Sequence, residues 1–236
     1  MNDLGIIIMA SWLAGFAAFL GAVAAHLEGS DETMTKREVT HGVMAFGGGI
    51  LLSAVAFALL PEGIEILNAD SLVGIFCAGG MAFCVLDVYL SRQGQSQAQL
   101  IAMLMDFIPE AISLGAVFGH DRQLGLLLAA FIAAQNLPEG FNSYRETMVS
   151  SIHPRMRLTA FLGISLLGPL AACVGYFFLQ NQPALTAGIM VFASGGIIYL
   201  LFQDIAPQAK LQRHWTPALG AVFGVAVGLL GKKLLG

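Results

Sequence analysis

Eight long apolar runs, parted by short polar or turn-rich breaks, organise this chain at approximately 4–27, 41–62, 71–90, 98–119, 123–146, 156–180, 184–206 and 215–235. A helix that crosses a bilayer needs about 20 apolar residues, and every run is that long. The runs are continuous and show no period-two alternation, so strands are not expected. The breaks are too short to hold a soluble unit. The pattern predicts an all-α fold: one polytopic transmembrane domain over residues 1–236 with eight membrane helices.

Composition sharpens that picture. The chain is 57% hydrophobic and 11% charged, whereas soluble domains carry roughly 25% charged residues. A solvated surface is missing, and the lipid bilayer of the cell (inner) membrane is the expected environment. The net charge of −4 comes with no basic cluster beyond short links, which excludes a nucleic-acid partner. Cys77, Cys84 and Cys173 lie inside apolar runs without CxxC spacing and read as small packing residues. Asn2-Asp3 lacks a basic n-region, so no cleavable leader is expected.

Lys and Arg orient the spans. With the N-terminus outside, the inner links hold eight of them: Lys36, Arg37, Arg92, Arg145, Arg155, Arg157, Lys210 and Arg213. The outer side holds three, Arg122, Lys232 and Lys233. Both termini are therefore expected outside. Gly220, Gly224 and Gly228 form a ridge in the last run and Gly115 and Gly119 a pair in the fourth. These predict close helix packing, with a homodimer contact as a further use.

Most acids fall at the edges of the runs, but Asp106, Glu110 and Glu139 do not. Each mid-helix charge costs roughly 2.5–3.5 kcal/mol on an insertion scale. They sit in two related stretches, MDFIPEAISLG at 105–115 and AQNLPEGFNSY at 134–144. Asp106, Glu110 and Ser113 share one helical face, and Gln135, Glu139, Asn142 and Glu146 share another. The break at Gly119-His120-Asp121 makes these two helices antiparallel neighbours. At 1.5 Å per residue, Asp106 and Glu110 lie about 12 and 18 Å from the inner end of their helix, and Glu139 about 10–14 Å from its own. The three carboxylates can thus occupy one layer.

Pro109 and Pro138 add to the site. Neither can donate a backbone hydrogen bond, which frees the carbonyls of Met105 and Ala134. A freed carbonyl is tolerated at membrane depth where it faces a polar pocket. A single buried Glu is often only a structural partner, and a single Pro only a kink. The same pair repeated 29 residues apart (139 − 110) on facing helices points to a shared cation or proton site instead, since no Lys or Arg lies at that depth.

Those two stretches resemble the ZIP (Zrt/Irt-like) family of divalent-metal transporters, whose members carry H-N-x-P-E/D-G in the fourth helix and a related H-x-x-P/x-E-G string in the fifth. The matching strings are Asp106-Phe107-Ile108-Pro109-Glu110-Ala111 and Gln135-Asn136-Leu137-Pro138-Glu139-Gly140. AFGGGILLSAVAFALLPEG at 45–63 is similar to the family's second helix and ASGGIIYLLFQDIAPQA at 193–209 to its seventh. The resemblance implies a 3+2+3 helix arrangement, elevator-like alternating access, and a divalent metal ion (Zn, Mn, Fe or similar) carried as substrate without a prosthetic cofactor. It places Asp106, Glu110, Gln135, Asn136 and Glu139 at ligand or adjacent positions, and Asp204 at an auxiliary site near the inner exit.

The chain departs from that pattern at several points. Asp106 and Gln135 replace the motif histidines. Phe107 stands where many members have a ligating Asn, and Gly168 in SLLGP where many have an acid that completes a second metal site. The link SRQGQSQ (91–97) lacks the family's histidine cluster. One metal per site is the resulting expectation, with carboxylate and amide oxygens favouring a harder cation than imidazole would.

His26, His41, His120, His153 and His214 all fall near predicted helix ends and read as interfacial. Met44, Met103 and Met105 read as packing residues with thioethers available. No enzyme is expected: the chain has no HExxH, and no Ser-His or Cys-His pair at the right depth. The other readings left open are a membrane metal or proton sensor that does not transport and, disfavoured by those missing groups, an intramembrane metal-dependent enzyme.

Overall fold

The computed structural model describes residues 3–29, 33–92, 98–148, 152–211 and 214–235. Residues 93–97 of the SRQGQSQ link and Arg213, both used above, lie outside them. Among the described residues, all regular structure is helical: α1 (Asp3–Glu28), α2 (Met34–Ala54), α3 (Leu60–Ile66), α4 (Ala69–Arg92), α5 (Ala98–Val117), α6 (Arg122–Thr147), α7 (Pro154–Ile164), α8 (Leu167–Val174), α9 (Pro183–Leu200), α10 (Ala206–Ala209) and α11 (Thr216–Leu235). Single π-helical turns, Val55–Leu59, Gly175–Leu179 and Leu201–Ile205, join α2 to α3, extend α8, and join α9 to α10.

Among the described residues, seven helical stretches are long and apolar enough to cross a membrane: Asp3–Glu28, Met34–Ile66, Ala69–Leu90, Arg122–Thr147, Pro154–Leu179, Pro183–Ala209 and Thr216–Leu235. The chain is therefore built as a multi-pass membrane protein. The 20-residue α5, which carries Asp106 and Glu110, is not among the seven. The largest boundary difference from the sequence expectation is at α2, which begins at Met34 rather than near 41. Its first two turns, MTKREVT, are too polar to register as an apolar run. They are nonetheless helical, because Thr33 caps them by accepting a hydrogen bond from the Lys36 amide at 3.3 Å. Asp121 starts α6 in the same way, accepting from the Leu124 amide at 2.9 Å.

The helices sort into two packed groups. In one, α1 lies along α6, and α5 packs on α6 and α8. In the other, α2 lies along α11 and α4 along α9. The groups meet where α2 crosses α6 and α5 crosses α9.

Small residues permit these crossings. In α2, three successive glycines point about 100° apart at three neighbours. A Cβ on Gly47 would lie 2.9 Å from the Pro138 ring, one on Gly48 2.9 Å from Ile205, and one on Gly49 would strike the Ala221 carbonyl. The Gly220-Gly224-Gly228 ridge of α11 is likewise spent within the chain, against Gly42, Phe46 and Ser53 of α2. The outer faces of α4 and α11 remain apolar and exposed, for example at Val73, Met81, Val85, Val222 and Leu229. An apolar exterior of this kind suits lipid.

Candidate metal site

The polar stripe of α6 is buried inside the molecule. Gln135, Asn136, Glu139, Asn142 and Ser143 are all buried, although α6 is otherwise an apolar helix. The facing stripe of α5, Asp106, Glu110 and Ser113, is buried as deeply. Both helices run unbroken through their prolines. With no N–H on Pro109 or Pro138, the Met105 and Ala134 carbonyls keep an unused helical lone pair. Gly47 of α2 leaves room for the Pro138 ring. The predicted facing of the two stripes is present: the Gln135 amide donates to Glu110 Oε2 at 2.5 Å. Glu139 also lies within electrostatic reach of both Asp106 and Glu110.

The six residues singled out by sequence then divide. Asp106 and Glu139 line a cavity of about 100 Å³ between α2, α4, α5, α6 and the Leu200–Gln208 stretch. Asp204 lines it too, from the π-helical turn. Glu110 and Gln135 lie outside that lining, paired to each other. Asn136 turns to α1, where its amide donates to the Ala14 carbonyl at 2.9 Å. The bond ties α6 to α1 and uses only the amide N–H; Asn136 Oδ1 stays buried without a partner.

Three groups reach the cavity that the sequence reading did not list as ligands. Asn142 lines it one turn beyond Glu139, and its position on the predicted stripe was the signal available. Asp87 and Glu146 line the other part of the cavity with Asp204. Asp87 accepts a hydrogen bond from the Tyr199 hydroxyl at 2.8 Å. Asp87 comes from α4 and was separable from any other helix-end acid only by its partners in space.

The chemistry of this lining is one-sided. Five carboxylates, Asp87, Asp106, Glu139, Glu146 and Asp204, face the cavity, and among the described residues no Lys, Arg or His does. Asp106 Oδ1, both Glu139 carboxylate oxygens and Asn142 Oδ1 are buried without a hydrogen-bond partner, and so, outside that lining, are Gln135 Oε1 and Asn136 Oδ1. Orphaned buried oxygens are rare and costly. Among the described residues no three His, Cys, Asp or Glu side chains converge tightly enough to make a ready metal cluster. A cation here would be held by two acids completed by amide oxygen, backbone carbonyl or water.

Phe107 and Gly168 explain each other. The Phe107 side chain is 1% exposed and its ring tip lies 3.0 Å from where a Cβ on Gly15 or Gly168 would stand. A side chain at 168 would also meet the Ser11 carbonyl at 2.5 Å. The space beside α5 is here filled by a phenyl ring between α1 and α8.

No protein-family model matches this chain, and no curated protein matches it. Fold and site together define a multi-pass, all-helical membrane protein with an acid-lined internal cavity.

Proposed function

We propose that the protein carries a divalent cation across the membrane, bound between α5 and α6, as a ZIP-like transporter with histidine-depleted motifs. The observation that carries this reading is the set of partnerless oxygens on Asp106, Glu139 and Asn142 in a cavity where, among the described residues, no side chain is basic. A cation satisfies all of them at once and offsets the burial of the acids. Glu110, held by Gln135, supports the layer from behind and stands ready as a further ligand if its hydrogen bond breaks. Asp204, Asp87 and Glu146 extend negative charge from the site toward the expected inner helix ends. They would give a departing ion its next oxygen ligands.

The oxygen-rich lining favours Mn²⁺, Mg²⁺ or Ca²⁺ over a metal that prefers imidazole. Phe107 packed on Gly168 favours one ion per site. Eight spans in a 3+2+3 arrangement with outside termini complete the reading, α5 serving as the eighth span. Alternating access would then move α1, α5, α6 and α7–α8 against the group built on α2, α4, α9 and α11.

The test is metal-resolved isotope flux into proteoliposomes for wild type beside Glu139→Ala and Asp106→Ala. Flux of a divalent ion that both changes abolish supports the proposal. Undiminished flux in both variants would remove the site. A sensor without transport is the second reading, favoured by the Glu110–Gln135 bond that already satisfies one acid; saturable metal binding with no flux would select it.

A further inference from the structure

A second concavity lies behind the wall of the acid-lined cavity, on the exterior of the bundle. It is sunk between α2, the Leu201–Leu211 stretch and α11, with a volume of about 700 Å³. Its walls are small and apolar, including Gly48, Gly49, Ala218, Ala221 and Ala226, and among the described residues no carboxylate lines it. Its basic groups, Lys210 and His214, gather at one end, on the link that precedes α11. His214 Nδ1 lies 2.9 Å from Glu38 Oε1, whereas Lys210 is exposed at the mouth.

From Pro217 to Leu229 the groove follows α11 over thirteen residues, about 18 Å at 1.5 Å for each of the rises between them. One leaflet is about half of a 30 Å hydrocarbon core, so the groove is one leaflet deep. A polymethylene chain fits a trough of that length and lining, and the ammonium at its end matches an anionic headgroup rather than an apolar helix of a second copy.

We propose that this groove binds one anionic phospholipid, an acyl chain lying along α11 and the phosphate beside Lys210. The apolar lining takes the chain, the depth matches the leaflet, and the ammonium sits where a headgroup would be. The site is independent of the cation reading but adjoins it. Gly48 and Ile205 line both hollows, and a Cβ on Gly48 would stand 2.9 Å from Ile205. A bound acyl chain therefore backs the same thin wall that faces the acids.

Native mass spectrometry of the detergent-purified full chain, titrated with phosphatidylglycerol and with phosphatidylcholine, tests the proposal. One phosphatidylglycerol should bind per chain in preference to phosphatidylcholine. Lys210→Glu should weaken phosphatidylglycerol roughly fivefold or more and leave phosphatidylcholine unchanged. Ala226→Phe and Ala218→Phe, which fill the groove, should remove binding of both lipids while the chain elutes as the same species. Equal affinity for the two lipids in wild type would overturn the proposal, as would lipid retained in a filled groove. A change of oligomeric state in the filled variants with lipid retained would make the groove a protein interface and overturn it as well. Lys210→Glu, at an exposed position, decides the matter even if a filled variant does not fold.

Discussion

At the scale of single residues, hydrogen bonding distinguishes how each buried polar side chain is held. Glu139 presents two partnerless oxygens to the cavity, whereas Asn136 spends its amide on the Ala14 carbonyl. Glu139→Gln should therefore weaken divalent-cation binding at least tenfold by isothermal titration. It should leave the cation-free protein as stable or more so, since an amide is less costly to bury than a charge. Asn136→Ala should do the reverse: a loss of about 1–2 kcal/mol in stability, read by thermal unfolding, with cation affinity within a few-fold of wild type. Protons and cations compete for the same carboxylate oxygens, so affinity should rise as pH rises and protons should leave as metal enters. Affinity that stays flat across pH, measured in weakly coordinating buffers, would contradict that coupling.

At the scale of helices, small residues decide how closely the elements approach. Gly168 of α8 sits where any Cβ meets both the Ser11 carbonyl and the Phe107 ring. Gly168→Ala should cost about 1–3 kcal/mol, and pairing it with Phe107→Ala should not recover the whole loss, because the Ser11 carbonyl belongs to a helix backbone that cannot swing aside. Thermal denaturation of the two single variants and the double variant measures the coupling. The apolar runs predicted the helices well wherever lipid or core demands continuous hydrophobicity, as in α1 and α6. They missed the first two turns of α2, where a Thr33 cap rather than an apolar face starts the helix. The three π-helical turns also left no trace in the pattern, since one extra residue in a turn hardly disturbs a run that is apolar all round.

At the scale of the molecule, two helix groups meet at α2 with α6 and at α5 with α9, and the acid-lined cavity lies along this seam. Gly47 faces Pro138 across it, with a Cβ–Cβ approach of 3.1 Å if a side chain is built there, so a separation of only about half an ångström reaches the roughly 3.5–4.5 Å of a disulfide. With Cys77, Cys84 and Cys173 replaced by serine or alanine, the pair Gly47→Cys and Pro138→Cys should cross-link on oxidation. It should then stop cation flux, with recovery under reductant. Flux that persists while the cross-link is complete would mean that the two groups need not move apart there.

The sequence by itself determined that this is a helical membrane protein and that Asp106, Glu110 and Glu139 share one layer, because hydropathy and the helical repeat are local properties read along one strand of text. Which of those acids keeps its oxygens free, that Asn136 ties α6 to α1, and that Asp87 and Asn142 join the lining were decided only in three dimensions. A hydrogen-bond partner and an empty space both come from other helices, distant in sequence, and no local pattern encodes them.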